Sequence, residues 1–200
     1  PTSPVGKVTK SSPMGAIDNP INPLSVAMGC EATFVARSID VNIKHLGEIL
    51  RRASDHRGTS FIEVYQNCNV FNDGAFAAIT KKDARDDMLI DLRHGEPILF
   101  GSDQQYGVIG IDGAVAIAEV AEVGIDAVLV HDEARPDPSR AFALSRLAET
   151  PTTPPPIGVF RAVEHEEYGT GIRAQVDDVQ AHEGQGDLDE LLHSLPTWEV

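Results

Sequence analysis

The pattern of hydrophobic and polar residues in the first 65 positions predicts two helices and two strands. Apolar residues at three- and four-residue spacing indicate a helix, and short apolar runs indicate strands. A short helix is expected over Pro23–Gly29 and a longer one from about Val41 to His56, closed by Gly58. The longer helix carries one apolar stripe, formed by Leu46, Ile49, Leu50 and Ala53. Strands are expected at Ala32–Ala36 and Ser60–Tyr65. Strand, helix and strand in direct succession predict a parallel pair, because parallel strands require such a crossover.

Beyond Asp83 the strand-like segments are shorter and are interrupted by glycines, which favours a meander or an appended subdomain. These segments are Met88–Ile90, Pro97–Phe100, Tyr106–Ile109 and Ala127–Val130. A helix is expected to begin at Asp137-Pro138, and the Pro-rich segment 150–156 is typical of a stiff extended spacer. A last strand at Ile157–Phe160 predicts that the chain then returns to the body of the fold.

The composition narrows the class of protein. A chain of 200 residues with 42% hydrophobic content can bury one domain core, and no segment is long and apolar enough to span a bilayer. A net charge of -15 argues against nonspecific binding to nucleic acid, which requires a basic surface. No secretory signal is visible, and two cysteines fit a reducing compartment. We therefore predict a soluble cytoplasmic protein with neither nucleic acid nor membrane as a partner.

We predict three parts: residues 1–80 as α/β layers, residues 81–162 as a C-terminal subdomain, and residues 163–200 as an acidic tail. The tail holds ten acidic residues against Arg173 alone, a net charge of -9, and we expect it to be solvated or partly disordered. The chain opens on Pro1 in a polar loop, so we expect it to be the C-terminal piece of a longer subunit.

Common catalytic motifs do not occur in the chain. There is no Gly-x-Gly-x-x-Gly after a strand, no phosphate-loop Gly-Lys-Ser or Gly-Lys-Thr, and no Gly-x-Ser-x-Gly elbow. His94, His131 and His165 do not stand in a paired ligand spacing, so each is interpreted as an ordinary polar or capping residue. Nucleotide binding by these motifs and Ser/His/Asp hydrolysis therefore have no support.

Cys68 is the most informative single residue. It follows the predicted strand Ser60–Tyr65 and precedes a loop of Asn, Asp and Gly, which places its thiol at the carboxyl edge of a sheet, where open α/β sheets bind cofactors. Three roles are open to it: a structural thiol, a nucleophile with a base not identified here, or one ligand of a metal site. An iron-sulfur cluster takes four thiolates and the chain has two cysteines, so composition alone favours the structural role.

Several blocks of sequence, taken in their order and spacing, change the interpretation of Cys68. The blocks are Lys7–Gly15, Asn22–Gly29, Glu31–Arg37, Ile62–Gly74, His94–Pro97 and Ala141–Leu147. Together they resemble the beta subunits of 2-oxoacid:ferredoxin oxidoreductases, and most closely the actinobacterial type that acts on 2-oxoglutarate. The resemblance covers nearly the whole chain up to about Phe160.

The resemblance implies the C-terminal part of a thiamine-diphosphate-binding α/β fold, with a parallel sheet and an appended C-terminal subdomain. It implies oxidative decarboxylation of 2-oxoglutarate to succinyl-CoA, with thiamine diphosphate, Mg and a 4Fe-4S cluster as cofactors of the full-length subunit. Electrons would pass through the cluster to ferredoxin, and the other partners would be an alpha subunit, the 2-oxoacid and coenzyme A. By its position in the matching block, Cys68 is expected to be a ligand of that cluster.

The remaining family motifs are absent from this chain. The Cys-x-x-Cys pair, a further cysteine and the Gly-Asp-Gly to Asn-Asn segment for Mg and diphosphate are expected upstream of residue 1, so this part alone is expected to be inactive. Cys30 stands where the family usually has a small residue and is interpreted as structural. Two alternatives stay open: pyruvate or broad 2-oxoacid specificity, and a noncatalytic binding or structural domain in which Cys68 is merely buried.

Overall fold

A computed structural model describes residues 3–70, 73–81, 85–147 and 153–194. Two compact units are distinguished, Pro1–Glu164 and His165–Val200. Within the described ranges, every helix is too short or too polar to cross a lipid bilayer.

The first unit begins with the predicted order of elements. Helix α1 spans Pro23–Gly29 and begins where the Asn22 side chain accepts a hydrogen bond from the Ser25 N–H, with a proline as its first residue. Strand β1 is Phe34–Ile39, helix α2 is Ile43–Asp55 and strand β2 is Ser60–Tyr65. The predictions for α1 and β2 are confirmed at both ends, and those for β1 and α2 to within a few residues.

The central sheet has four strands in the order β2-β1-β7-β3. Strands β1 and β2 run parallel, with Phe34 opposite Ser60 and Ile39 opposite Tyr65, which confirms the predicted parallel pair. Strand β7, Pro156–Ala162, lies antiparallel to β1 and parallel to β3, Ile90–Leu92. The chain thus returns to the body of the fold after the Pro-rich segment, as predicted.

The meander predicted for the second half is a separate three-stranded antiparallel sheet in the order β4-β5-β6. Its strands are β4 (Leu99–Phe100), β5 (Tyr106–Ile111) and β6 (Ala114–Glu119). The strand predicted at Ala127–Val130 is wrong: a 3₁₀ turn ends at Ala127, and two isolated bridges follow. The strand predicted at Met88–Ile90 is displaced, because Met88 still belongs to a helix and β3 begins at Ile90.

Short helices complete the unit. They are α3 (Ala77–Thr80), α4 (Arg85–Met88), α5 (Val120–Val123) and α6 (Ser139–Arg146). Helix α6 confirms the helix predicted to begin at Asp137-Pro138. Its Ser145 hydroxyl shares a buried 2.8 Å hydrogen bond with Ser25, which ties α6 to α1.

The largest core cluster brings together residues of α1, β1, α6 and β7, and its most deeply buried members include Leu24, Met28, Val35, Leu144 and Phe160. Helix α2 packs through Ile49 and Ala53 on Phe34, Ala36 and Val159. Leu50 was predicted on the same stripe, but it is 49% exposed, so the buried stripe is narrower than predicted.

The second unit consists of two helices, α7 (Tyr168–Glu183) and α8 (Leu188–His193). Acidic side chains cap both: Glu167 accepts from the N–H groups of Gly169 and Thr170, and Asp187 from those of Asp189 and Glu190. Neither helix buries a residue. The three-part division at residues 80 and 162 stays a prediction.

Candidate functional site

The carboxyl edge of the parallel pair β1 and β2 is followed along the chain by Asp40 on one strand and by the loop that carries Cys68 on the other. Since Ile39 lies opposite Tyr65, both strands end at the same level. Asp40 follows β1 directly, and its N–H donates to the carbonyl of Tyr65 at 3.1 Å. Cys68 stands three residues after β2, and its side chain is exposed. The strand and edge predicted for Cys68 are therefore present, and its role as a ligand stays a prediction.

The side chain of Asn67 braces the loop that carries Cys68. Asn67 donates from Nδ2 to Asp73 Oδ1 at 3.0 Å, and its Oδ1 accepts from the Gly74 N–H at 2.9 Å. At the base of the loop, the rings of Tyr65 and Phe76 stack with centroids 4.6 Å apart and an interplanar angle of 14°. Both ends of the segment around Cys68 are thus fixed to each other and to the end of β2.

A buried arginine lies beneath this edge. Arg37 of β1 donates from Nε to Glu63 Oε2 at 2.7 Å and from Nη1 to the carbonyl of Pro156 at 3.2 Å, which links three strands. Its guanidinium lies 4.8 Å from the centre of the Tyr65 ring. Burial raises the pKa of Tyr65 to about 12, although the charge of Arg37 acts to lower it.

Asp40 holds an unusual polar atom. Its Oδ1 is buried and has no hydrogen-bond partner among the residues that the structure describes. Such atoms are rare in native proteins because their desolvation is not compensated. The orphaned carboxylate oxygen follows the same sheet edge as the Cys68 loop, which makes this edge a candidate for contact with a group outside the chain.

The metal-binding side chains of the described residues are considered next. In the described part of the chain, no three His, Cys, Asp or Glu side chains are grouped so as to bind a metal ion. A cluster with four iron atoms normally takes four thiolates, so Cys68 fits it as one soft ligand among four. Cys30 is exposed at the C-terminal cap of α1, so the structural role predicted for it is not that of a buried core thiol.

Two of the three histidines interpreted as ordinary polar residues, His94 and His131, make local hydrogen bonds. His131 is 1% exposed, and its Nε2 donates to the carbonyl of Val159 at 2.7 Å. Burial lowers the pKa of His131, which favours the neutral form of its ring. His94 accepts through Nδ1 from the Glu133 N–H at 3.3 Å. These side chains support the backbone of unit Pro1–Glu164.

Sequence reasoning missed three features of this edge: the buried Arg37, the orphaned oxygen of Asp40 and the brace formed by Asn67. A charged residue inside a mostly apolar strand is a visible signal for Arg37. The pairing of Asn67 with Asp73 has no comparable signal, because it depends on the loop conformation.

The chain matches a known protein family over residues 1–64, described as "Thiamine pyrophosphate enzyme, C-terminal TPP binding domain". This confirms the expected thiamine-diphosphate-binding fold for the part of the chain that contains α1, β1, α2 and nearly all of β2.

Two curated relatives are similar in sequence. The 2-oxoglutarate oxidoreductase subunit KorB of Mycobacterium tuberculosis is 45% identical over 202 aligned residues, which include 100% of this chain and 54% of that protein. The 2-oxoacid:ferredoxin oxidoreductase subunit beta of Saccharolobus solfataricus is 42% identical over 73 residues, or 36% of this chain and 24% of that protein. The chain thus spans about half the length of the first relative and about a quarter of the second.

One solved structure shares the fold. It is a 2-oxoglutarate:ferredoxin oxidoreductase from Magnetococcus marinus with 2-oxoglutarate, coenzyme A and succinyl-CoA bound. The TM-score is 0.56 at 19% sequence identity, and the match covers 96% of this chain and 51% of that one. The likeness therefore extends beyond residues 1–64 to nearly the whole chain.

Proposed function

Because the chain belongs to the beta-subunit family of 2-oxoacid:ferredoxin oxidoreductases, as the C-terminal part, we propose that it serves in the oxidative decarboxylation of 2-oxoglutarate to succinyl-CoA. The observation that carries the proposal is the 45% identity, over the whole chain, to a 2-oxoglutarate oxidoreductase subunit. That relative is a longer protein, of which this chain spans 54%, so the complete activity is proposed for the whole beta subunit and its partner.

Thiamine diphosphate is the cofactor of this reaction, and it supplies carbanion stabilisation when bound. The part of the chain that matches the thiamine family ends one residue before the end of β2. We assign the carboxyl edge of β1 and β2, with the buried oxygen of Asp40, to the wall of the cofactor region. We propose that residues outside the described part of this chain bind Mg²⁺ and the diphosphate, since the described residues include no group of three metal ligands.

Cys68 is proposed as one thiolate of a 4Fe-4S cluster whose other ligands come from outside this chain. Its exposure at the sheet edge leaves the thiol accessible to such a group, whereas a buried thiol would not be. The cluster would pass electrons to ferredoxin, and a companion alpha subunit would complete the enzyme. The name of the archaeal relative supports ferredoxin as the acceptor, and the subunit names of both relatives support a companion chain.

A second candidate is the same reaction with broad 2-oxoacid specificity, pyruvate included. The general name of the archaeal relative favours it, since that protein is named for 2-oxoacids as a class. The greater extent of the match to the 2-oxoglutarate relative, 100% of the chain against 36%, is the reason to place 2-oxoglutarate first.

The proposal is tested with the complete beta subunit, produced anaerobically together with its alpha partner. Iron and acid-labile sulfide are measured in the wild type, in Cys68→Ala and in Cys30→Ala, which removes the other exposed cysteine. We expect Cys68→Ala to lose cluster iron together with 2-oxoglutarate-dependent reduction of ferredoxin, and Cys30→Ala to retain both.

Unchanged iron and activity in Cys68→Ala would overturn the ligand role while leaving the family intact. Equal rates with pyruvate and 2-oxoglutarate in the wild type would favour the broad-specificity candidate. A complex that reduces ferredoxin with neither substrate would instead point to a noncatalytic binding or structural domain.

A further inference from the structure

Helix α2 carries a row of residues on the side that does not face the core. The row is Ile43, Gly47, Leu50 and Ser54. Its spacings of four, three and four residues place it on one face of the helix, as in the seam of a coiled coil. Ile43 is 80% exposed and Leu50 is 49% exposed. A Cβ added to Gly47 would meet no atom within 4 Å, so the surface above this residue is open.

Charged residues of alternating sign flank this row on one side. They are Lys44, Glu48, Arg51 and Asp55, and all four are exposed. Since their spacings are also four, three and four residues, they lie next to one another along the helix. Within residues 3–70, 73–81, 85–147 and 153–194, none of the four forms an ion pair. Their charges are therefore available to a partner.

The row of Ile43, Gly47, Leu50 and Ser54 is complementary to itself in an antiparallel arrangement. When Ile43 is set opposite Ser54 of a second copy of the chain, the same alignment sets Leu50 opposite Gly47 of that copy. Each large apolar side chain then faces a small residue, which allows the two helices to pack closely. Each contact occurs twice, because a two-fold interface brings the same patch of both copies together.

The charged residues fit the same alignment. The signs along the helix are plus, minus, plus, minus, so reversal of the direction places each charge near its opposite. Lys44 comes near Asp55 of the second copy, and Arg51 comes near Glu48 of that copy. Side chains lean toward the N-terminus of their own helix, which brings the members of each pair together and moves Lys44 away from Arg51 of the second copy. Shape and charge thus favour the same orientation and register.

We propose that this outer face of α2 binds the same face of a second copy of the chain, with the two helices antiparallel. The inference concerns a surface and goes beyond the proposed function, because it holds for any reaction that the subunit serves. A single helix pair buries less than a standard interface of about 1,600 Å². One altered charge or one filled position should therefore be enough to weaken the contact measurably.

The experiment counts the beta subunits in the complete complex. The complete beta subunit is produced with its alpha partner, and the mass of the complex is measured by sedimentation velocity over a range of concentrations. We expect the wild-type complex to contain two beta subunits. Gly47→Leu fills the space that Leu50 of the second copy would occupy, so self-association should weaken by about 10-fold or more. Its thermal stability should not fall, because leucine favours a helix more than glycine does and the added Cβ has open space.

A charge exchange tests the register. Lys44→Glu places a carboxylate near Asp55 of the second copy in both symmetry-related pairs, so the dissociation constant of the dimer should rise about 10-fold. The double variant Lys44→Glu with Asp55→Lys exchanges the two charges and should restore the wild-type mass. Both of its changes also suit the helix dipole, which favours an acid near the first turn and a base near the last.

Lys81→Glu is the matched control, because it makes the same change of charge at another exposed lysine. Lys81 follows α3, which packs through Ile79 on Ile39 of β1. Helix α2 packs on Phe34 and Ala36 of that strand. Since side chains of a strand alternate between the two faces of a sheet, α2 and α3 lie on opposite faces. Lys81→Glu should therefore leave the mass unchanged.

Three results would overturn the inference. The first is a wild-type complex with one beta subunit. The second is a wild-type mass for Gly47→Leu, or a double charge variant that fails to recover. The third is release of the alpha partner by Gly47→Leu and Lys44→Glu with the second beta subunit retained, which would show that this face binds the alpha subunit. Because the measured quantity is mass and not activity, the result is independent of the iron content and activity of Cys68→Ala.

Discussion

Arg37 and Glu63 form an ion pair between directly opposed residues of two parallel strands, with Nε and Oε2 2.7 Å apart. The Arg37 side chain is 2% exposed and that of Glu63 is 16% exposed, so the pair is largely removed from water. The strand of Arg37 leads into Asp40, and the strand of Glu63 leads into the Cys68 loop. The pair therefore couples the two strand ends that form the candidate site.

Removal of one partner should be costly. Glu63→Ala leaves the Arg37 guanidinium buried without its carboxylate, and we expect a loss of about 3 to 5 kcal/mol in the free energy of unfolding. Arg93→Ala serves as the control, because it breaks an ion pair with Asp91 whose side chains are 64% and 42% exposed. That change should cost about 1 kcal/mol or less. Urea unfolding of both variants measures the difference, and similar midpoints would contradict it.

The phenol of Tyr65 gives the protein a dependence on alkaline pH. Burial raises the pKa of Tyr65 from 10.0 to about 12, so the folded state favours the protonated phenol. Its contribution to stability is complete below pH 10.0 and is lost as the pH rises from there through about 12. Tyr65→Phe keeps a ring to stack on Phe76 and should lack this loss, which amounts to roughly 2 to 3 kcal/mol. Unfolding of both proteins is compared across that range, and parallel curves would refute the assignment.

The parts of the fold that the sequence predicted well are those with local signals. The bounds of α1 follow from Asn22 and Pro23, a side-chain cap and a first-turn proline. Strand β2 begins soon after Gly58, whose φ of 132° is rarely available to other residues. Because a strand, a helix and a strand in direct succession form a parallel pair, the pairing of β2 with β1 could then be predicted.

The errors occur where distant contacts decide the structure. The segment Ala127–Val130 has a strand-like composition, but its two bridges go to different partners, Ile109 and Pro97, so no continuous ladder forms. Strand β6 was not predicted: three of its six residues are alanines, which are depleted in strands, and it follows a tight turn at Asp112 and Gly113, both with positive φ. The brace from Asn67 to Asp73 depends on how the loop folds, which no local pattern specifies.

His131 should make the protein less stable in mild acid. Burial lowers the pKa of His131 below 6.5, and the charge of His94 adds a smaller lowering. The Val159 carbonyl, Glu133 and Asp132 act in the opposite direction, but they do not outweigh the effect of burial. The unfolded chain therefore takes up the proton first, and the stability present above pH 6.5 is lost as the pH falls through the lowered pKa.

The variant His131→Gln tests this dependence. The glutamine amide can still donate to the Val159 carbonyl but does not titrate, so the slope of stability against pH should be shallower below pH 6.5. Part of the slope should remain, because burial also lowers the pKa of His45 and His56. Above pH 6.5 the two proteins should differ by a constant offset. An unchanged slope below that pH would show that His131 does not carry the effect.

Gly158 is the glycine at which an added side chain should do most damage. It lies in β7 between Arg37 of β1 and Leu92 of β3, and a Cβ there would come 2.7 Å from the Leu92 carbonyl oxygen. Its φ is also positive, at 110°. Gly158→Ala should therefore combine backbone strain with a forced separation of the β7 and β3 backbones, a cost of about 3 kcal/mol or more.

Gly113→Ala isolates the first of these two costs. Gly113 has a φ of 83° in the turn between β5 and β6, and a Cβ there would meet no atom within 4 Å. The variant should lose about 1 to 2 kcal/mol through backbone strain alone. Urea unfolding of Gly158→Ala and Gly113→Ala measures both losses in the free energy of unfolding. The two values can be compared directly if the m value is unchanged. Equal losses would mean that β7 and β3 can separate without cost, and that the close approach at Gly158 does not hold the central sheet together.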